Sequence, residues 1–167
     1  MSKQKPTIER LRTLLEERDG VLYWLDKSSK HSMMEAGDKA GRINNKGYIT
    51  VMVDGVEMKG HVIVWALHHG AYPDSMLDHK NRVKSDNRIA NLRPATDSLN
   101  AVNKVKKVGA SEYRGVSFVK LTGRWQAHIT KEGVKRTIGT FDTEREAADA
   151  YNRAAVVAFG EFALLNP

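Results

Sequence analysis

The stretch from Asp78 to Asn103, DHKNRVKSDNRIANLRPATDSLNAVN, is polar, rich in side-chain amides and poor in residues that could build a core. A segment of this composition needs something other than apolar burial to hold its shape. Asp78 and His79 are adjacent, so on a strand their side chains point to opposite faces. The carboxylate can then bind a hard divalent cation through oxygen. The imidazole, with an ordinary pKa of about 6.5, can take a proton from water at neutral pH. Those are the two groups that hydrolysis of a phosphodiester requires. The competing reading of the same residues is a turn network, with asparagines closing a hairpin and the Asp-His pair capping it.

Upstream, Ile8, Leu11, Leu14 and Leu15 recur at helical spacing within residues 6–18, and Asp19-Gly20 stops that pattern before the strand-like Val21–Leu25. GYITVMV at Gly47–Val53 alternates, Asp54-Gly55 reads as a hairpin turn, and Val56–Met58 returns. The following run, HVIVWALHHG, ends at Gly70 and reads equally as strand or buried helix. His61 in that run reads as a core or surface group that could also lie near Asp78-His79. His68 and His69 read as structural or phosphate-facing, and no motif supports His31 or His128.

Downstream the composition shifts at AVNKVKKVGASE, with Lys104, Lys106 and Lys107 in a basic linker over residues 104–112. This divides the chain into 1–103 and 113–166. The second part reads as three short strands, Arg114–Val119, Arg124–Thr130 and Lys135–Thr140, separated by Thr122-Gly123 and Glu132-Gly133 turns. A helix follows, opened by Thr143 and Glu146 as a capping box, with Ala147, Ala148, Tyr151, Ala154, Ala155 and Ala158 as a small-residue stripe suited to close packing on a sheet. Alternation puts Arg114, Lys120, Arg124, Lys135 and Arg136 on these strands or their turns, as contacts to nucleic acid or as a solvated charged face. Trp125 reads as core.

The chain carries 27 Lys and Arg against 20 Asp and Glu, a net charge of +7 spread along its length. Polyanions are therefore the favoured partners. With no cysteine, disulfides and thiolate zinc sites are excluded, leaving histidine, carboxylate and amide groups as metal ligands. The absence of cysteines, of a signal-like N-terminus and of any long apolar run leads us to expect a cytoplasmic protein with no membrane partner.

The elements Asp78-His79, then Asp86-Asn87-Arg88-Ile89-Ala90-Asn91-Leu92-Arg93, then Asn100 and Asn103, resemble the HNH nuclease family in order and spacing, specifically the phage-type homing endonucleases. The likeness covers roughly residues 20–104. It implies an α+β protein with a ββα-metal (His-Me finger) core at about residues 76–103, whose helix begins near Pro94 and Thr96. By the same resemblance Asp78 and Asn100 bind the metal, His79 is the general base, and Asn91 hydrogen-bonds across the hairpin to hold His79. Asn103 is the competing ligand. An amide ligand where many relatives have histidine favours one Mg2+ or Mn2+ over zinc. Two departures stand out. Asn81-Arg82-Val83 occupies a loop that often contains glycine, and Val62 replaces an arginine common after the upstream histidine.

Residues 111–166, with Tyr113-Arg114-Gly115-Val116, Trp125-Gln126-Ala127, Gly139-Thr140-Phe141-Asp142-Thr143 and Ala154-Ala155, resemble the plant Apetala/ethylene-response-factor DNA-binding domain. That family is a three-stranded sheet backed by one helix, whose exposed sheet face enters the major groove of double-stranded DNA. Arg114 and Arg124 align with its contact positions. Ser117, Val119, Thr122, Thr130 and Thr137 replace other base-reading residues, so the plant target site does not transfer.

Together these features lead to the expectation of a homing-type, phage-borne endonuclease acting in an infected bacterial cell. It would leave 5′-phosphate and 3′-hydroxyl ends, with Arg88, Arg93 and the basic residues above contacting DNA. One centre per chain favours nicking, whether the protein is a monomer or a weak dimer. The alternatives are a DNA-binding regulator with an inactive HNH scaffold, and a protein that merely coats DNA.

Overall fold

A computed structural model describes residues 4–26, 34–96, 99 and 111–167. The expectations for His31, Asn100, Asn103, Lys104, Lys106 and Lys107 lie outside the described residues. The chain divides into two compact units, residues 1–95 and 96–167. It is an α+β protein of small antiparallel sheets and helices.

The first unit opens with α1, Ile8–Leu14, whose N-cap Thr7 accepts from the backbone N–H of Arg10. Leu11 and Leu14 are buried. The helical pattern predicts a longer element, but the chain leaves the helix at Leu15. Leu15–Arg18 is strand β1, paired antiparallel with β2, Val21–Trp24. Leu15 lies opposite Trp24 and both are buried, so strand pairing overrides the good helix propensity of Leu-Glu-Glu-Arg. The Asp19-Gly20 turn that joins them has φ of 48° and 80°, as a tight hairpin turn requires.

Strands β3 (Arg42–Ile43), β4 (Ile49–Val53) and β5 (Val56–Lys59) form a second sheet, and the expected Asp54-Gly55 turn joins the last two. The ambiguous apolar run is a helix, α2, Gly60–His69, ended by Gly70 in the left-handed conformation at φ 70°. Ile63, Val64 and Ala66 are completely buried, and α2 packs on α1, β4 and β5. An element covered on several sides loses the periodicity by which a helix is read. Leu11, Leu14, Leu22, Trp24, Val51, Val53, Met58, Ile63, Val64 and Leu92 share one core.

Strands β6 (Met76–His79) and β7 (Leu92–Ala95) form a separate antiparallel ribbon, with Leu77 opposite Pro94, Asp78 opposite Arg93 and His79 opposite Leu92. Leu92 ties the ribbon to the core. Pro94, expected near a helix start, instead lies within β7. A two-stranded ribbon has free edges, and a proline lacking its N–H is tolerated there. Thr96 Oγ1 accepts from the N–H of Leu99, three residues on, which is the bond a capping threonine makes.

In the second unit β8 (Val116–Val119), β9 (Arg124–Lys131) and β10 (Val134–Phe141) form the expected meander, and α3 (Glu144–Phe159) packs on all three strands. Both halves of the Thr143–Glu146 capping box are present. Ala147, Ala148, Ala150, Tyr151 and Ala155 are buried against the sheet. Gly115, at φ 71°, lies so close to the Tyr151 ring and to the His128 carbonyl, 2.6 Å from where a Cβ would stand, that no side chain fits. Asn166 fastens the chain end. Its side chain accepts from Arg114 N at 2.6 Å and donates to Arg114 O at 3.1 Å, while its backbone exchanges two bonds with the Asn152 amide.

Candidate functional site

Asp78 and His79 sit side by side on β6 and are 6% and 4% exposed. Asp78 Oδ2 accepts from Arg93 Nε at 3.1 Å and Nη2 at 2.9 Å, a cross-strand ion pair with both side chains buried. Arg93, expected from sequence to touch DNA, is thus 6% exposed and engaged with Asp78. His79 lies 3.2 Å through Nε2 from Asn87 Oδ1. An amide oxygen only accepts, so Nε2 carries the ring proton and the basic lone pair is on Nδ1. Burial lowers the His79 pKa below its ordinary value, against the raising effects of the Asn87 hydrogen bond and the nearby Asp78 and Asp86 carboxylates. The neutral ring, the form that can take a proton, is therefore favoured at neutral pH.

The ten residues that follow are braced by Asn91. Its Oδ1 accepts from Asn81 N at 3.0 Å, and its Nδ2 donates to Asn81 Oδ1 at 3.0 Å and to Asp86 O at 2.7 Å. Its backbone carbonyl accepts from Lys80 N. Asn91 therefore crosses the hairpin to the residues beside His79, while Asn87 makes the side-chain contact with the ring. Arg82 takes φ 65°, a conformation that glycine adopts without strain, in the loop where the resemblance implies glycine, and Asn81 Oδ1 supports that turn by accepting from Val83 N. Arg88 is exposed but paired with Asp86, whose carboxyl it holds well below the usual range with help from Asn81 Nδ2.

Two glycines leave room for this arrangement. A Cβ on Gly20, in the β1–β2 turn, would stand 2.8 Å from the Asn87 carbonyl carbon, and one on Gly60, at the start of α2, would stand 2.8 Å from Asn87 Nδ2. Asn87 is 3% exposed in this seat. Replacing Asn87 with alanine removes the Asn87 amide oxygen from His79 Nε2 and loosens the hold on the ring. The expected result is a fall in kcat of about 10²-fold with KM little changed. Steady-state cleavage kinetics check it, and a kcat within a factor of three of wild type would rule out this positioning role.

Two further rings border His79. His61 stands edge-on at a centroid distance of 4.9 Å and Tyr48 lies at 6.0 Å, with 5.5 Å between His61 and Tyr48. Burial, then the charges of His79 and Lys59, push the His61 pKa down to about 3. His61 thus adds no positive charge beside His79. Neither Asn87 nor Tyr48 emerges as a site residue from the sequence. Asn87 was visible only as a letter of the motif, and Tyr48 had no signal beyond strand alternation. Elsewhere, His68 meets Glu17 at 3.2 Å and His69 stacks on Trp65.

In the second unit the buried Ala127 marks the sheet face covered by α3. Strand register then places Arg124, Gln126, His128 and Thr130 of β9 on the opposite face, with Lys135 and Thr137 of β10 and Ser117 and Val119 of β8 beside them. Arg124 and Lys135 are exposed there, although Arg124 also meets Asp142 at 2.9 Å. Arg136, opposite Ile129, falls on the helix-side face, and Lys120 lies in the β8–β9 turn. Arg114 is half-buried where Asn166 holds its backbone. Trp125 packs with the core and against Phe118, as its sequence reading expects.

Among the described residues no group of three or more His, Asp or Glu side chains surrounds a common point. The donors beside His79 are nonetheless those a hard cation takes: the Asp78 carboxylate, held in one orientation by Arg93, and amide oxygens, with no thiolate in the chain. Residues 59–102 match the HNH endonuclease family. The chain carries an HNH endonuclease domain. The match spans β6, the braced loop, β7 and the helix that carries His61.

The chain is also similar to an uncharacterized HNH endonuclease of Acanthamoeba polyphaga mimivirus, 32% identical over 126 residues, covering 74% of this chain and 65% of the viral protein. It resembles an AP2-like ethylene-responsive transcription factor of Arabidopsis thaliana, 40% identical over 65 residues, 39% of this chain and 13% of the plant protein. An APETALA2-like protein of Oryza sativa is 51% identical over 47 residues, 28% of this chain and 11% of that protein. The chain therefore spans a small part of its plant relatives and just under two thirds of the viral one. No solved structure matches it. Among the described residues no helix is long and apolar enough to cross a membrane.

Proposed function

We propose that the protein is a metal-dependent endonuclease of the homing type that hydrolyses a phosphodiester bond in double-stranded DNA. The observation that carries this reading is His79, buried beside Asp78, with its proton fixed on Nε2 by Asn87 and its basic nitrogen therefore Nδ1. His79 takes a proton from the attacking water. Oxygen bonds to phosphorus, the bond to the 3′ oxygen breaks, and that oxygen takes a proton from solvent, leaving a 5′ phosphate and a 3′ hydroxyl. Asp78 and Asn100 would hold one Mg2+ or Mn2+, which when bound supplies Lewis-acid stabilisation of the charge that develops on the phosphate and leaving oxygen. In this reading Asn100, which lies outside the described residues, completes a ββα-metal core with the β6–β7 ribbon.

The second unit grips the duplex through its open sheet face with Arg124 and Lys135, aided by Arg114 and Lys120, while Arg136, on the helix-side face, contacts phosphate only from the sheet edge. Lys104, Lys106 and Lys107 add phosphate contacts, and Arg88 contacts DNA from the braced loop. A basic sheet face of neutral and cationic side chains suits the major groove. With one centre per chain, the expected product is a nicked circle. Incubating supercoiled plasmid with the protein and Mg2+ and then with DNA ligase should give nicks that reseal. Nicks that resist ligation would exclude the proposed end chemistry. Binding without any nicking would leave a DNA-binding regulator with an inactive HNH scaffold.

A further inference from the structure

The β4–β5 hairpin and the β6–β7 loop of the first unit bring two lysines to one aromatic ring beside His79. Lys59 ends β5 and Lys84 lies in the β6–β7 loop, and the ammonium group of each stands 5.0 Å from the centroid of the Tyr48 ring. Tyr48 follows the tight β3–β4 turn, in which Asn44 Oδ1 accepts from both Lys46 N and Tyr48 N. That turn also presents the Lys46 carbonyl, which accepts from Lys84 Nζ at 2.8 Å.

Among the described residues none of these lysines has a carboxylate partner. Glu57 is turned toward Arg42, and Asp86 is taken by Arg88 and Asn81. Two like charges gathered on one half-buried ring repel each other, and each ring contact returns only about 0.5–1 kcal/mol at an exposed site. Fold stability does not call for that arrangement. An anion beside the two ammonium groups would balance their charge, and the same ring lies 6.0 Å from the His79 ring.

On the nuclease reading above, we infer that Lys59 and Lys84, spaced by Tyr48, form a clamp for backbone phosphates flanking the bond that is cut. The ligand is the phosphodiester chain itself. Each lysine neutralises one phosphate, and neither reads a base. Both lysines gather on a ring that borders His79, so the clamp fixes the strand relative to the basic nitrogen.

The test is DNA binding by the full chain carrying His79→Ala, which separates binding from cleavage, measured against salt concentration with and without Lys59→Gln and Lys84→Gln. Each released phosphate contact should make the slope of log K against log[salt] shallower by about 0.9. The loss should be equal on specific and unrelated duplexes, and Lys→Arg replacements should restore the slope. Thermal melting confirms that the variants fold. An unchanged slope with DNA still bound overturns the clamp and leaves the nuclease reading intact. Failure of the His79→Ala chain to bind DNA with both lysines in place, together with failure of the wild-type chain to cut it, overturns both.

Discussion

Replacing His79 with alanine is expected to lower the cleavage rate about 10³-fold while leaving DNA affinity within a factor of about two. General-base catalysis contributes about 10²–10⁴-fold, and His79 is 4% exposed, too enclosed to supply much binding surface. The other groups beside it cannot take over the proton. Asp78 is committed to Arg93, and His61 has its pKa depressed to about 3, far below any pH at which it would be an effective base. Single-turnover cleavage with saturating protein measures the chemical step directly. A variant that retains a tenth of wild-type activity would move the proton transfer to another group.

The second large effect concerns Arg93. With both members of the Asp78–Arg93 pair buried, Arg93→Ala strands a carboxylate in a water-poor ribbon, and breaking such a pair costs about 3–5 kcal/mol. Part of that loss should return in the Asp78→Ala, Arg93→Ala double variant, because no uncompensated charge is left. Urea unfolding of the two singles and the double reads this as a coupling energy. Additive losses would mean that the two side chains contribute independently despite separations of 2.9–3.1 Å. Arg93 thus acts at the site by orienting Asp78, a role its motif position alone does not distinguish from DNA contact.

What the sequence conveyed follows from how locally each feature is determined. The Asp54-Gly55 turn, the Thr143–Glu146 capping box and the three-stranded meander depend on neighbouring residues, and each is found where the sequence places it. Tertiary pairing decided the rest. Leu15–Arg18 becomes a strand because Trp24 lies across from Leu15, and Pro94 is a ribbon residue because Leu77 is its partner. The helical nature of HVIVWALHHG was hidden by burial on several sides.

At the site, Asp78, His79 and Asn91 were legible as a motif, but their contacts were not. Asn87 reaches His79 only because Gly20 and Gly60, far away in sequence, leave it a seat. Tyr48 and Lys59 are neighbours through the β4–β5 hairpin, but Lys84 reaches them from a loop that shares no pattern with it. Such clusters are products of topology, which spacing within one strand or helix does not encode.

Incubation of supercoiled plasmid with purified protein in Mg2+, in Mn2+ and in chelator, beside the Asp78→Ala variant, tests the nuclease centre most directly. The expected result is nicked circle with either cation, none in chelator, and none from the variant at the same protein concentration. Nicking that persists in chelator, or that the Asp78 variant performs at the wild-type rate, would contradict a metal-dependent centre built on Asp78 and His79.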